Sequence, residues 1–162
     1  MTTRLTPYAK YRDSGVSWLG LIPGNWSAQR LKNVSQINPP KSESKEHLAS
    51  KIPVAFLPME KVGTHGSVDA TQLRSIDELW NGFTYFRRDD VIVAKITPCF
   101  ENGKGAHLKS LPTPIGFGST ELHVLRANSA ILPEFLYLLT TMSDFRVDGT
   151  QNMIGSAGQK RV

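Results

Sequence analysis

The sequence predicts one mixed domain of helices and strands, an α/β fold of the α+β kind, on three observations. Short apolar runs of strand length alternate with turn signals, one amphipathic helix stands near the C-terminus, and the apolar content is enough for a core. Leu, Ile, Val and Phe supply 42 of the 162 residues, above the roughly 20% below which a chain cannot order itself. Thirteen glycines and ten prolines without a period exclude collagen-like and low-complexity classes.

The elements follow in order. Residues 1–28 carry Gly15, Gly20, Pro23 and Gly24 around Trp18 and Trp26, which reads as an irregular N-terminal arm anchored on the domain by its two indoles. Leu31, Val34 and Ile37 recur every third position, a spacing that allows either a short helix or a strand. Residues 41–51 (KSESKEHLASK) read as a charged, Ser-rich loop, and residues 54–59 as a strand followed by a glycine turn at Gly63 and Gly66. Residues 83–86 form a short strand, and 87–90 (RRDD) a solvated charged turn. Residues 91–96 (VIVAKI) form a strand apolar enough for burial on both faces.

Thr97-Pro98 ends that strand, because proline cannot donate to a ladder, and Asn102-Gly103 supplies a turn before residues 106–108 resume. Residues 111–119, with two prolines and two glycines, read as a second loop, and 120–126 as a half-buried strand. A helix starts at Pro133 with Glu134 in its first turn, favourably placed against the helix dipole. Its stripe is Phe135, Leu136, Leu138, Leu139 and Met142. The expected core is Leu31, Phe56, Val91, Val93, Ile96, Leu122, Val124, Phe135, Leu138 and Leu139. The domain proper spans 29–150, and 151–162 forms a polar, glycine-rich tail.

No apolar stretch approaches the ~20 residues of a membrane span, and the N-terminus lacks the apolar core of a secretory signal, so a cytoplasmic protein is expected. The single Cys99 precludes an internal disulfide or a multi-cysteine zinc site. The four histidines show no metal-ligand spacing, and phosphate-binding glycine motifs are missing, so no cofactor and no metal are expected. Cys99 beside His107 or His123 is the one nucleophile arrangement to weigh, and a small buried cysteine explains it more simply. A net charge of +5 favours a polyanionic partner. Lys, Thr, Ser, Asn and Gly are concentrated in residues 41–51, 61–65, 97–104, 116–121 and 149–161, and these residue types reach phosphates and base edges.

Several ordered segments then carry a family resemblance. YRDSGVSWLGLIPGNWSAQRLKNV (11–34), VIVAKITPCFENGKGA (91–106), GFGSTELHVLR (116–126), LPEFLYLL (132–139) and GSAGQKRV (155–162) together resemble the specificity subunits of type I restriction-modification systems. The resemblance implies a target-recognition domain with a bent, mostly antiparallel sheet and a few packed helices, reading one half of a split target in double-stranded DNA. It implies a non-catalytic role beside methyltransferase (modification) subunits and ATP-dependent restriction subunits, with this chain corresponding to the first recognition domain and a spacer helix expected after residue 162.

By position in the matching segments, Thr97, Glu101, Asn102 and Lys104 would lie on one DNA-facing loop, and Gly118, Ser119, Thr120 and Glu121 on another. Asn102 would pair with adenine, Lys104 with guanine or a phosphate, and Glu101 or Glu121 with a cytosine amino group, unless the acids are structural. Gly118 would admit a close backbone approach, and Ser119 and Thr120 would bind phosphate. Asn102 has the alternative role of supplying positive φ to its turn. Lys41, Lys61, His65 and Gln151 complete the DNA-binding candidates. The rival reading is a truncated subunit that serves as a protein-interaction or assembly module without independent DNA binding.

Overall fold

The computed structural model describes residues 6–156 and 158–162, and the chain divides into two compact units between Asn33 and Val34. In the first unit β1 (Tyr11–Asp13) pairs antiparallel with β2 (Leu21–Pro23). The Arg12 guanidinium donates to the Trp26 carbonyl at 3.0 Å, and the Tyr8 ring meets the Trp26 indole edge-on at 5.8 Å. Trp18 and Trp26 are both exposed.

The ambiguous three-residue period resolves into both alternatives in succession, a single helical turn α1 (Leu31–Val34) and a strand β3 (Ser35–Ile37). The second unit then holds two four-stranded sheets. One has the order β3, β10 (Leu122–Ala127), β7 (Val91–Ala94), β8 (Gly105–His107), antiparallel throughout. The other has the order β5 (Leu73–Ser75), β4 (Pro53–Leu57), β9 (Ile115–Gly118), β6 (Thr84–Arg87), with β4 and β9 parallel and the other pairs antiparallel. The mixed, mostly antiparallel class expected from the sequence is thus the observed one, distributed over two sheets.

Strand periodicity explains the layers. Leu57 and Phe86 from the second sheet meet Ile92, Ala106, Leu122 and Val124 from the first in one buried cluster. Residues of the alternate register in β4, β6 and β9, Val54, Phe56, Tyr85 and Phe117, face the other way onto Ile76 and Leu79 of α3 (Ile76–Trp80), with Leu48 of α2 (Lys45–Ser50) packed beside them. On the outer side of the first sheet, α4 (Pro133–Thr141) packs against β7, β8 and β10, and α5 (Ser143–Gln151) folds back on α4. Every residue of β7 is buried, as its continuous apolar run predicts.

Four expectations need correction. Residues 41–51 are not a loop: a 3₁₀ turn (Lys41–Ser44) leads into α2, because Lys, Glu, Leu and Ala favour helix and Leu48 gains a packing surface. Residues 111–119 contain β9, a central strand concealed by its own glycines. A Cβ on Gly116 would lie 2.8 Å from the Ala55 carbonyl oxygen and one on Gly118 2.6 Å from that of Leu57, so side chains are excluded by close packing. The RRDD turn is not simply solvated, since Asp90 is 1% exposed and bound to Arg126.

The core list is also revised. Phe56, Val91, Val93, Leu122 and Val124 are buried, while Leu31, Ile96, Phe135 and Leu139 are half-buried. Leu138 is 56% exposed, and the buried face of α4 runs instead through Leu136 and Thr140. Two residues advance a helix by about 200°, so a helix that buries Leu136 turns Leu138 outward.

Candidate nucleic-acid interface

Strand registers bring separate sequence segments to one end of both sheets. In the first sheet Ala94 pairs with Leu122 and Val93 with Gly105, so the segment leaving β7 and those entering β10 and β8 lie together. In the second, Leu57 pairs with Gly118 and Gly118 with Thr84, which gathers the segments leaving β4 and β9 and entering β6. β3 ends there too, where the Asn38 amide oxygen accepts the Val124 N–H at 3.0 Å. Residues 38–41, 58–67, 82–84, 95–104 and 119–121 therefore share an edge.

The 97–104 turn is internally bonded. Thr97 Oγ1 donates to Glu101 Oε1 at 3.0 Å, Asn102 N–H to the Pro98 carbonyl at 3.0 Å, and Lys104 N–H to the Cys99 carbonyl at 3.0 Å. Asn102 is exposed, and the positive φ belongs to Gly103 (71°), so the turn-forming role expected of Asn102 falls to its neighbour. Lys104 Nζ donates to the Met59 carbonyl at 3.1 Å, joining this turn to the segment after β4.

On that segment Lys61 and Asp69 form a 2.6 Å ion pair. The hydrogen bond from Lys61, helped by Thr71, holds the Asp69 carboxyl down at about 2, and Asp69 correspondingly raises the Lys61 ammonium. His65 is exposed, with φ 57°.

The 119–121 turn carries Ser119, whose Oγ accepts the Glu121 N–H at 3.2 Å, and the exposed Thr120. Gly118 is buried at the end of β9 against Leu57 and Phe86. Glu121 is held by Arg161 through two bonds of 2.8 and 2.9 Å. These bonds keep its carboxyl below the ordinary carboxylate range against the opposing effect of burial. Arg161 also pairs through its backbone with Ile154, the Val162 N–H donates to the Lys95 carbonyl and the Thr97 N–H to that of Lys160, so residues 160–162 strap the same edge. Gln151 is exposed at the end of α5, two residues before Met153, whose sulfur lies 3.4 Å from Thr97 Oγ1.

Lys41 lies over the Trp80 ring, 5.3 Å from its centroid, and donates to the Trp80 carbonyl. Beside it an open groove of about 290 Å³ is lined by Asn38, Lys41, Phe83, Thr84 and Lys95. Sequence reasoning passed over Lys95 because it sits within an apolar run, and Arg146 because no helix was expected at α5. The rival nucleophile arrangement is not assembled: His107 Nε2 bonds Asp89 at 3.2 Å, and His123 is held between Asn38 and the Val162 carbonyl. Among the described residues no cluster of His, Cys, Asp or Glu could hold a metal ion, and no helix is long and apolar enough to cross a membrane.

No protein-family model matches the chain. Two curated Escherichia coli proteins do, each over 144 residues covering 87% of this chain. The type I restriction enzyme EcoAI specificity subunit is 38% identical and the EcoEI specificity subunit 37% identical. Among solved structures, the HsdS subunit from Thermoanaerobacter tengcongensis shares the fold with a TM-score of 0.57 at 18% identity, over 86% of this chain and 37% of that one. The chain spans only 24% and 23% of the two curated relatives. Within that span the chain is similar in sequence to the specificity subunits of type I restriction enzymes.

Proposed function

We propose that this chain recognises DNA sequence as the target-recognition part of a type I specificity subunit, reading one half of a split target in double-stranded DNA. The observation that carries the reading is the convergence of residues 38–41, 58–67, 95–104 and 119–121 on one sheet edge. That edge presents Asn102 and Thr120 exposed, with Lys95 and Lys104 beside them. Short polar side chains on turns reach base edges, while lysines reach phosphates.

In this reading Asn102 reads a base, Ser119 and Thr120 approach the backbone, and Lys41, Lys61, His65 and Gln151 lie around them. Thr97 and Glu101 shape the turn through their mutual hydrogen bond, and Gly118 shapes β9. The chain does no chemistry itself, and methyltransferase and ATP-dependent restriction subunits act at the site it selects. The test is fluorescence anisotropy of the chain with a labelled duplex across a salt series. Three to five phosphate contacts give a log K against log salt slope of about −3 to −4.5, and a salt-independent affinity would overturn the reading.

A further inference from the structure

Arg146, on α5, differs from the arginines the fold uses. Arg74, Arg126 and Arg161 are each paired with carboxylates. The half-buried Arg146 side chain has no hydrogen bond or ion pair among the described residues. Its guanidinium lies across Gly103, where an added Cβ would sit 2.7 Å from Nη1 and 3.6 Å from Cζ. Gly103 is required by its positive φ, and the arginine lies above it.

Below this contact is a niche of about 10 Å³, lined among others by Gly103, Lys104, Tyr137, Thr140, Thr141 and Arg146. That is room for one water-sized group. No carboxylate lines it. The Thr140 and Thr141 hydroxyls spend their protons on the Tyr137 and Leu138 carbonyls, both at 2.7 Å. Lys104 spends one of three on Met59. The niche thus offers a guanidinium without a hydrogen bond or ion pair among the described residues and an ammonium with protons to spare, beside the exposed Asn102.

We propose that this niche is a phosphate-binding site, in which one non-bridging oxygen of a DNA backbone phosphate enters between Arg146 and Lys104. The inference rests on the DNA-recognition reading and deepens it. Arg146 fixes the register of the strand, and Asn102, one residue from the glycine beneath Arg146, meets the base. A guanidinium suits this task because it stays charged and carries several N–H donors that can be aimed at one phosphate oxygen. Since only one oxygen fits inside, free phosphate binds this site more weakly than a duplex, which adds neighbouring contacts, and millimolar concentrations are needed to fill it.

The experiment compares the wild-type chain with Arg146→Gln and Arg146→Lys on a panel of duplexes differing by single base pairs, across a salt series. Because the Arg146 side chain has no hydrogen bond or ion pair among the described residues, both variants should keep the wild-type thermal midpoint. Arg146→Gln should weaken every duplex by the same factor and flatten the salt slope by about 0.9. Arg146→Lys should keep the slope and recover part of the affinity. Wild-type binding with an Arg146→Gln variant of unchanged affinity and slope overturns the site, and a loss confined to one base pair overturns its assignment to phosphate. Failure of the wild type to bind any duplex removes the DNA reading instead. In that case the Arg146 Nε–H resonance under millimolar inorganic phosphate decides: a shift abolished by Lys104→Ala keeps an anion site, and no shift ends it.

Discussion

Arg126 and Asp90 face each other one step beyond the Val91 to Leu125 register of β7 and β10, joined by bonds of 2.7 Å (Nε to Oδ1) and 2.8 Å (Nη2 to Oδ2). Asp90 also accepts the Arg87 N–H, and the remaining face of the guanidinium meets Glu43 and the Tyr85 ring. Burial opposes the charge on Arg126, but the two carboxylates outweigh it and keep the guanidinium ionised. Glu43 is likewise drawn below its ordinary value by Arg126 and Tyr85 against burial, while burial and Glu43 push the Tyr85 hydroxyl up to about 12. The cluster ties the turn before β7 in one sheet to β6 in the other.

Removing one member of this pair leaves a buried, unpaired charge. Arg126→Met should therefore destabilise the chain by about 3 to 5 kcal/mol, measured by urea unfolding. The double variant Arg126→Met with Asp90→Leu should recover much of that loss, because apolar replacements of a buried pair often fold as well as the pair.

The two faces of α4 give a paired test. Leu136→Ala should cost about 2 to 5 kcal/mol, whereas Leu138→Ala should stay within about 0.5 kcal/mol. Equal losses at both positions would show that α4 packs through a different stripe.

How far this was legible in the sequence depends on the source of each signal. β7 and α4 were plain because their own composition determines them, a continuous apolar run and a proline-started amphipathic turn. β9 was not, since Ile115–Gly118 becomes a strand only through the partners on either side, and the glycines that fit it between Ala55, Leu57 and Phe86 look like punctuation. Asp90 read as a turn residue because Arg126 is brought to it by strand pairing. At the candidate interface, residue type marks 97–104 and 116–121 among five polar segments, and the family resemblance singles these two out. Their common edge, and the places of Lys95 and Arg146 beside them, follow from topology that no local pattern contains.

The Glu121–Arg161 pair gives a pH dependence with a definite sign. A carboxylate whose folded pKa is depressed contributes stability above its unfolded value of about 4.3 and loses that contribution as pH falls through the folded value. Hydrogen exchange at the Thr97 and Val162 amides, corrected for intrinsic rates, should therefore be slow at neutral pH and accelerate below that range. Glu121→Gln should exchange faster at neutral pH and respond less to acid.

Asn102 supplies the specificity test. Asn102→Asp should leave the unfolding midpoint intact and shift preference at one base pair by about 1 to 3 kcal/mol on a single-base panel. Normal affinity with an unchanged preference profile would move base reading to Thr120 and the 119–121 turn.

The parallel pairing of β4 with β9 also governs how the chain is made. β4 leaves the ribosome several seconds before β9 at ordinary translation rates of roughly 5 to 20 residues per second. Its hydrogen-bonding edge beside Ala55, Phe56 and Leu57 has no partner until residues 115–118 arrive. β5, which follows soon after, covers only the opposite edge. A nascent chain stalled anywhere in between displays an apolar, unpaired strand of the kind that recruits chaperones or other nascent chains. Codon choice or pausing between residues 58 and 114 is thus expected to govern the soluble yield of this protein more strongly than pausing anywhere after residue 118.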